Sequence, residues 1–136
     1  MPINSCCCGG VSPCTRCEDL PTDIVVTLPN ANAWTGWRFA DPCSPSQTSI
    51  TVSKDNTYDY CRFVDNMYGK TCVAGQWQNV DIIFQNTYWE LCFWDGYDFI
   101  YYRRTTSDVC DVYGTYTLYS NVSGISGVPA AVVVSP

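Results

Sequence analysis

The 136-residue chain contains no histidine, and that absence removes a large part of enzyme chemistry. Histidine is the commonest general base and the proton carrier of serine and cysteine triads, so nucleophilic catalysis of that kind is not expected. Basic side chains are also scarce: seven Lys and Arg stand against thirteen Asp and Glu, giving a net charge of −6. This sign is wrong for neutralising phosphates, so nucleic acid is not an expected partner. No apolar run approaches the roughly 18 to 20 residues of a membrane-spanning helix, and a membrane is not an expected partner either. The opening MPINSCCCGG has no basic segment followed by an apolar one, so no secretory signal is read there. Phosphate-cradling glycine motifs are missing, because GISGVP leads into a strand pattern and not a helix. No stretch of ten residues carries apolar side chains at helical spacing. CRFVDNMYGK has room for one short helical turn before Gly69 ends it.

What the chain does have is cysteine, ten of them, and aromatic residues at 15% of the composition, more than one small core needs. Dense cysteine means disulfides formed in an oxidising compartment, which conflicts with the missing signal. A virion protein resolves the conflict: it is made in host cytoplasm without a signal and meets an oxidising medium after lysis. Extracellular secretion, with a signal already removed, is the alternative.

Residues 1–21 are rich in Gly, Pro, Ser and Cys and lack periodicity, so they are expected to form an irregular, cross-linked cap. From residue 22 to 136 the pattern has period two. Ile24, Val26 and Leu28 share one face, Ile50 and Val52 another, and Val80, Ile82 and Phe84 a third. TSITVSKDNTYDYCRF reads as a hairpin turning at KDN, with Tyr58, Tyr60 and Arg62 on one face of its second strand. GTYTLYSN contributes Tyr116 and Leu118, and AAVVVS closes the chain. Seven to nine short strands with regular turns predict an all-β fold, a single antiparallel β-sandwich or jelly roll beneath the cap.

The sharpest local signal is TYWELCFWDGYDFIYY, where Asp95-Gly96 predicts a two-residue turn. That turn would set Trp94 opposite Tyr97, Cys92 opposite Phe99 and Glu90 opposite Tyr101. Alternation puts Trp89, Leu91, Phe93, Asp98, Ile100 and Tyr102 on one face and Glu90, Cys92, Trp94, Tyr97, Phe99 and Tyr101 on the other. Both faces are largely apolar, so the hairpin is expected to be covered twice. Trp89, Trp94, Tyr97, Phe99, Tyr101 and Tyr102 are the candidates for contact with a second subunit. Trp94, Tyr97 and Tyr101 would instead stack on a glycan in a carbohydrate-binding module.

All ten cysteines, Cys6, Cys7, Cys8, Cys14, Cys17, Cys43, Cys61, Cys72, Cys92 and Cys110, are disulfide candidates. Five lie in the cap and five in the strand region, which suggests a cap stapled to the body. The competing assignment is one zinc held by Cys7, Cys8, Cys14 and Cys17, since Cys14 and Cys17 have C-x2-C spacing. That would make the chain an intracellular zinc-knuckle adaptor; with disulfides, no cofactor is expected. Glu90 with Asp95 or Asp98 is the nearest carboxylate pair for glycoside hydrolysis, but charges at a hairpin tip are ordinarily just solvated. Asp55, Asn56 and Asp59 lack the spacing of a calcium loop.

The cysteine-rich head with C-x2-C and LP, the extended DIVVTL, the later SITVS and CDVYGTYTLYSN running into AAVVVS together resemble small cysteine-rich β proteins of tailed phages and some environmental bacteria. That group has no assigned activity, so no catalytic residue carries over. The resemblance implies a non-enzymatic virion component, a capsid decoration or a tail or fibre subunit, whose partners are other virion subunits or copies of itself.

Overall fold

The computed structural model describes residues 13–29, 49–56, 59–66, 79–94, 99–121 and 128–136. Eight strands follow one another: β1 (Asp23–Thr27), β2 (Ser49–Lys54), β3 (Arg62–Asn66), β4 (Asn79–Phe84), β5 (Tyr88–Trp94), β6 (Phe99–Thr105), β7 (Gly114–Asn121) and β8 (Ala131–Ser135). Each pairs antiparallel with the next, and β8 pairs back onto β1 through Val26 opposite Val134, so the sheet closes into a barrel. The fold is all-β as expected. The two-layer sandwich or jelly roll gives way to a single sheet wrapped on itself, because every strand bonds its sequence neighbour and no connection crosses over. Among the described residues closure leaves no unpaired sheet edge.

Strand alternation sorts the side chains. Ile24, Val26, Ile50, Val52, Phe63, Val80, Ile82, Trp89, Leu91, Phe93, Ile100, Tyr102, Tyr116, Val132 and Val134 point inward and are fully buried, while Asp23, Thr27, Ser49, Thr51 and Ser53 lie exposed outside. An eight-stranded barrel is just wide enough for its own side chains to fill, and the three large rings fill this one. Their polar atoms reach the connecting segments at the ends: Tyr102 Oη donates to the Pro129 carbonyl at 2.7 Å, Tyr116 Oη to Val112 at 2.7 Å, and Trp89 Nε1 to Val109 at 3.1 Å. Each buried donor is therefore satisfied, which removes the desolvation penalty such rings would otherwise carry.

Residues 55–56 with 59–61, and segment 106–113, lie at the end of the barrel where β1 begins, and the described cap residues cross that end. Disulfides tie Cys17 to Cys61 and Cys14 to Cys110, one to each segment. Lys54 Nζ donates to the carbonyls of Cys17 (3.0 Å) and Leu20 (2.6 Å), and Leu20 and Val112 are buried beneath. A single 3₁₀ turn, Cys17–Asp19, shapes the crossing, its Asp19 carboxylate accepting from the Thr15 and Arg16 amides. The cap is thus stapled to the body, and Cys14 and Cys17 are spent as disulfides, which takes two of the four ligands from the zinc assignment. Cys6, Cys7, Cys8, Cys43 and Cys72 lie outside the described residues. Among the described residues no group of His, Cys, Asp and Glu is placed to hold a metal.

Three local expectations are corrected. RFVDN forms strand β3 and not a helical turn, since Phe63 must point into the barrel while Arg62 points out to Asp81, and MYGK lies outside the described residues. The hairpin at KDN is wider than two strands turning on three residues: the Asp55 amide closes on the Arg62 carbonyl at 2.9 Å, and Tyr60 sits exposed in the connection. Tyr58 lies outside the described residues. The β5–β6 register is shifted by two from that set by an Asp95-Gly96 turn, pairing Trp94 with Phe99, Cys92 with Tyr101 and Glu90 with Arg103. This register sets a carboxylate opposite a guanidinium, with Arg103 Nε 2.8 Å from Glu90 Oε2, instead of opposite a tyrosine. A slip of two preserves which face each residue occupies. Residues 95–98 lie outside the described residues, Tyr97 and Asp98 among them.

Candidate functional site

The outer face of β4 to β7 carries side chains unlike the Ser and Thr outside β1 and β2. Asp81, Cys92, Tyr101 and Ser120 occupy adjacent positions across the four strands, and Trp94 and Phe99 lie beyond them toward one end. The Trp94 and Phe99 rings stack at 5.8 Å with planes 13° apart, and Phe99 and Tyr101 at 5.9 Å with planes 4° apart. On the other side the Arg103 guanidinium lies 3.9 Å from the Tyr88 ring centre and 3.5 Å from that of Tyr119. Arg103 also holds Glu90, so one cation serves two rings and a carboxylate. Phe99 (43%) and Tyr119 (61%) are among the most exposed large apolar side chains of the described residues.

Of the aromatic residues expected to meet a partner, Trp94, Phe99 and Tyr101 are outside on this face. Trp89 and Tyr102 are not: both are wholly inside the barrel at 0% exposure, and cannot touch a subunit or a sugar. The reason is strand parity, since they share the face of Leu91 and Phe93. Tyr88, Arg103 and Tyr119 complete the surface without having been singled out. Tyr88 and Arg103 have the outward parity of Glu90 and Tyr101, so alternation alone would have found them. Tyr119 reaches the surface through a register shift, where Tyr101 pairs Ser120 but Tyr102 pairs Leu118, and no local pattern announces that shift. Leu118, next to the shift, is 36% exposed although it pairs with the buried Tyr102 and alternation with Tyr116 predicts burial.

Cys92 is a free thiol, not a disulfide half. Burial pushes its ionisation well above the usual thiol range, and the neighbouring Asp81 and Glu90 carboxylates push it further. It stays protonated and packs as a small apolar group with a bond to Tyr101. Asp81 is also pushed up, chiefly by burial, although the Arg62 guanidinium 3.1 Å away draws it back down. Arg62 bridges Asp81 and Asp55, tying β4 to the connection after β2. These groups fix the sheet beneath the aromatic surface.

No protein-family model, curated protein or solved structure matches the chain.

Proposed function

We propose that this protein is a non-enzymatic structural subunit, a disulfide-stapled barrel that assembles with copies of itself in a phage particle through the outer aromatic face of β4 to β7. The observation that carries the reading is that face itself. Exposed Trp, Tyr, Phe and Arg side chains are what subunit interfaces concentrate, and here they lie side by side on a rigid sheet. The face also carries both charges, Glu90 beside Arg103, so two copies related by a two-fold axis would set each charge near its opposite. The virion setting rests on the resemblance and on the two cap disulfides. Apolar side chains inside and polar ones outside β1 and β2 are the inverse of a membrane-spanning barrel, which supports a partner other than lipid.

Glycan stacking on the same surface is the weaker alternative. Sugars need open ring faces, whereas Phe99 stacks on both Trp94 and Tyr101, and Arg103 covers Tyr88 and Tyr119. Hydroxyl-radical footprinting over a concentration series tests the proposal. Oxidation of Phe99 and Tyr119 is expected to fall as the protein is concentrated, while that of Tyr60, outside the patch, stays constant. Equal oxidation of all three at every concentration contradicts it.

A further inference from the structure

A second surface lies at the capped end, apart from the assembly face. Two adjoining clefts share Asp59, Tyr60 and Cys61. One, of about 610 Å³, continues over Phe84, Gln85 and Asn86; the other, of about 320 Å³, continues over Cys17, Glu18 and Asn56. Both volumes fall in the range of small-ligand sites, roughly 300 to 1,000 Å³. The Cys17–Cys61 disulfide lines the junction and joins the cap wall of the smaller cleft to the barrel wall, while the described lining of the larger cleft belongs to the barrel body. Lys54 holds the cap wall from below by its bonds to the Cys17 and Leu20 carbonyls. The walls are therefore set before any ligand arrives, which lowers the ordering cost of binding.

The lining specifies the ligand. Tyr60 is 45% exposed between the two clefts and offers a ring to an apolar sugar face. Gln85, Asn86 and Asn56 supply side-chain amides, and Asp59 and Glu18 carboxylates, which pair donors and acceptors with vicinal hydroxyls. Among the described lining residues three carboxylates, Glu18, Asp55 and Asp59, outnumber the one cation, Lys54, so the charge facing the groove is net negative. Phosphorylated, sulfated and sialylated ligands are disfavoured on that ground. An extended peptide is disfavoured too, because the closed barrel has no edge for it to pair with.

We infer that this groove binds a neutral or amine-bearing saccharide, with Tyr60 as its stacking platform and the Cys17–Cys61 disulfide holding its two walls together. The test is an oligosaccharide microarray probed with the oxidised full-length chain, followed by calorimetric titration of the best-bound neutral or amino sugar. The expected result is binding that Tyr60→Ala weakens by about tenfold or more, the loss of about 1.4 kcal/mol. Tyr60→Phe keeps the ring and retains most of the affinity, and Phe99→Asp, on the assembly face, leaves it unchanged. Tyr60 is on the surface, so its variants keep the fold, and their thermal melts check this directly. No binding to any neutral or amino sugar, a preference for acidic sugars, or binding indifferent to Tyr60→Ala would overturn the inference. Loss of assembly with sugar binding intact would refute the structural-subunit proposal and leave this one standing.

Discussion

Removing the Cys14–Cys110 disulfide by double serine substitution is expected to lower the melting temperature by about 10 to 20 °C. The bond joins residues 96 apart and the Cys17–Cys61 bond residues 44 apart, one nested within the other. Chain-entropy arguments give loops of these lengths about 4 to 5 kcal/mol each when either acts alone. Because they are nested, either bond shortens the loop the other must close; with Cys17–Cys61 intact, the outer loop shrinks to about 50 residues. The two single deletions are expected to differ by only about 0.7 kcal/mol, loss of Cys14–Cys110 being the costlier, despite the twofold difference in span. Deleting both should cost about twice as much as either. Thermal melts of the three variants beside the wild type measure this directly. A melting temperature unchanged by loss of one bond would mean the cap contributes little to holding the barrel shut.

Trp89→Ala is the second large effect, about 3 to 5 kcal/mol by denaturant midpoint. The indole is at 0% exposure, packed 5.2 Å from Phe84 and 6.3 Å from Phe63 by ring centres, near the end that the cap covers. Truncation leaves a cavity in an interior that neighbouring strands, fixed by their ladders, cannot collapse to fill. It also strands the Val109 carbonyl that accepts from Nε1, adding about 1 kcal/mol. Phe99→Ala on the same hairpin should change stability by less than about 1 kcal/mol, since its ring is partly in water already. The contrast separates the two faces of one hairpin. Similar costs at both positions would mean the register or the closure is misassigned.

Those two residues also show what can be read from the chain without its fold. Period-two alternation placed Ile24, Val26, Leu28, Ile50, Val52, Val80 and Ile82 in the core, because side-chain parity is a local property of a strand. It separated Trp89 from Trp94 as well, and a register slip of two left that separation intact. Closure was not legible: it depends on β1 pairing β8 across about 100 residues, and nothing in DIVVT or AVVVS names its partner. An apolar inner and outer face on one hairpin suggested two covers. The inner face is covered by the rest of the barrel, while the outer rings shelter one another and Arg103.

The candidate surfaces divide in the same way. Trp94, Phe99 and Tyr101 could be picked out by composition and parity. Tyr119 could not, since it arrives through a bulge in β7. The groove around Tyr60 was invisible for a different reason. Its smaller cleft lies where a disulfide brings Cys17 of the cap against Cys61 after β2, and five cap thiols facing five body thiols admit many connectivities. That pairing is a property of the folded chain.

Sedimentation equilibrium of the oxidised protein, wild type beside Phe99→Asp, tests the central claim most directly. Reversible association into a dimer or larger oligomer is expected for the wild type, and a monomer at every concentration for the variant, with identical melting temperatures. A wild type that remains monomeric throughout, or a Phe99→Asp variant that associates as strongly as its parent, would contradict assembly through the aromatic face.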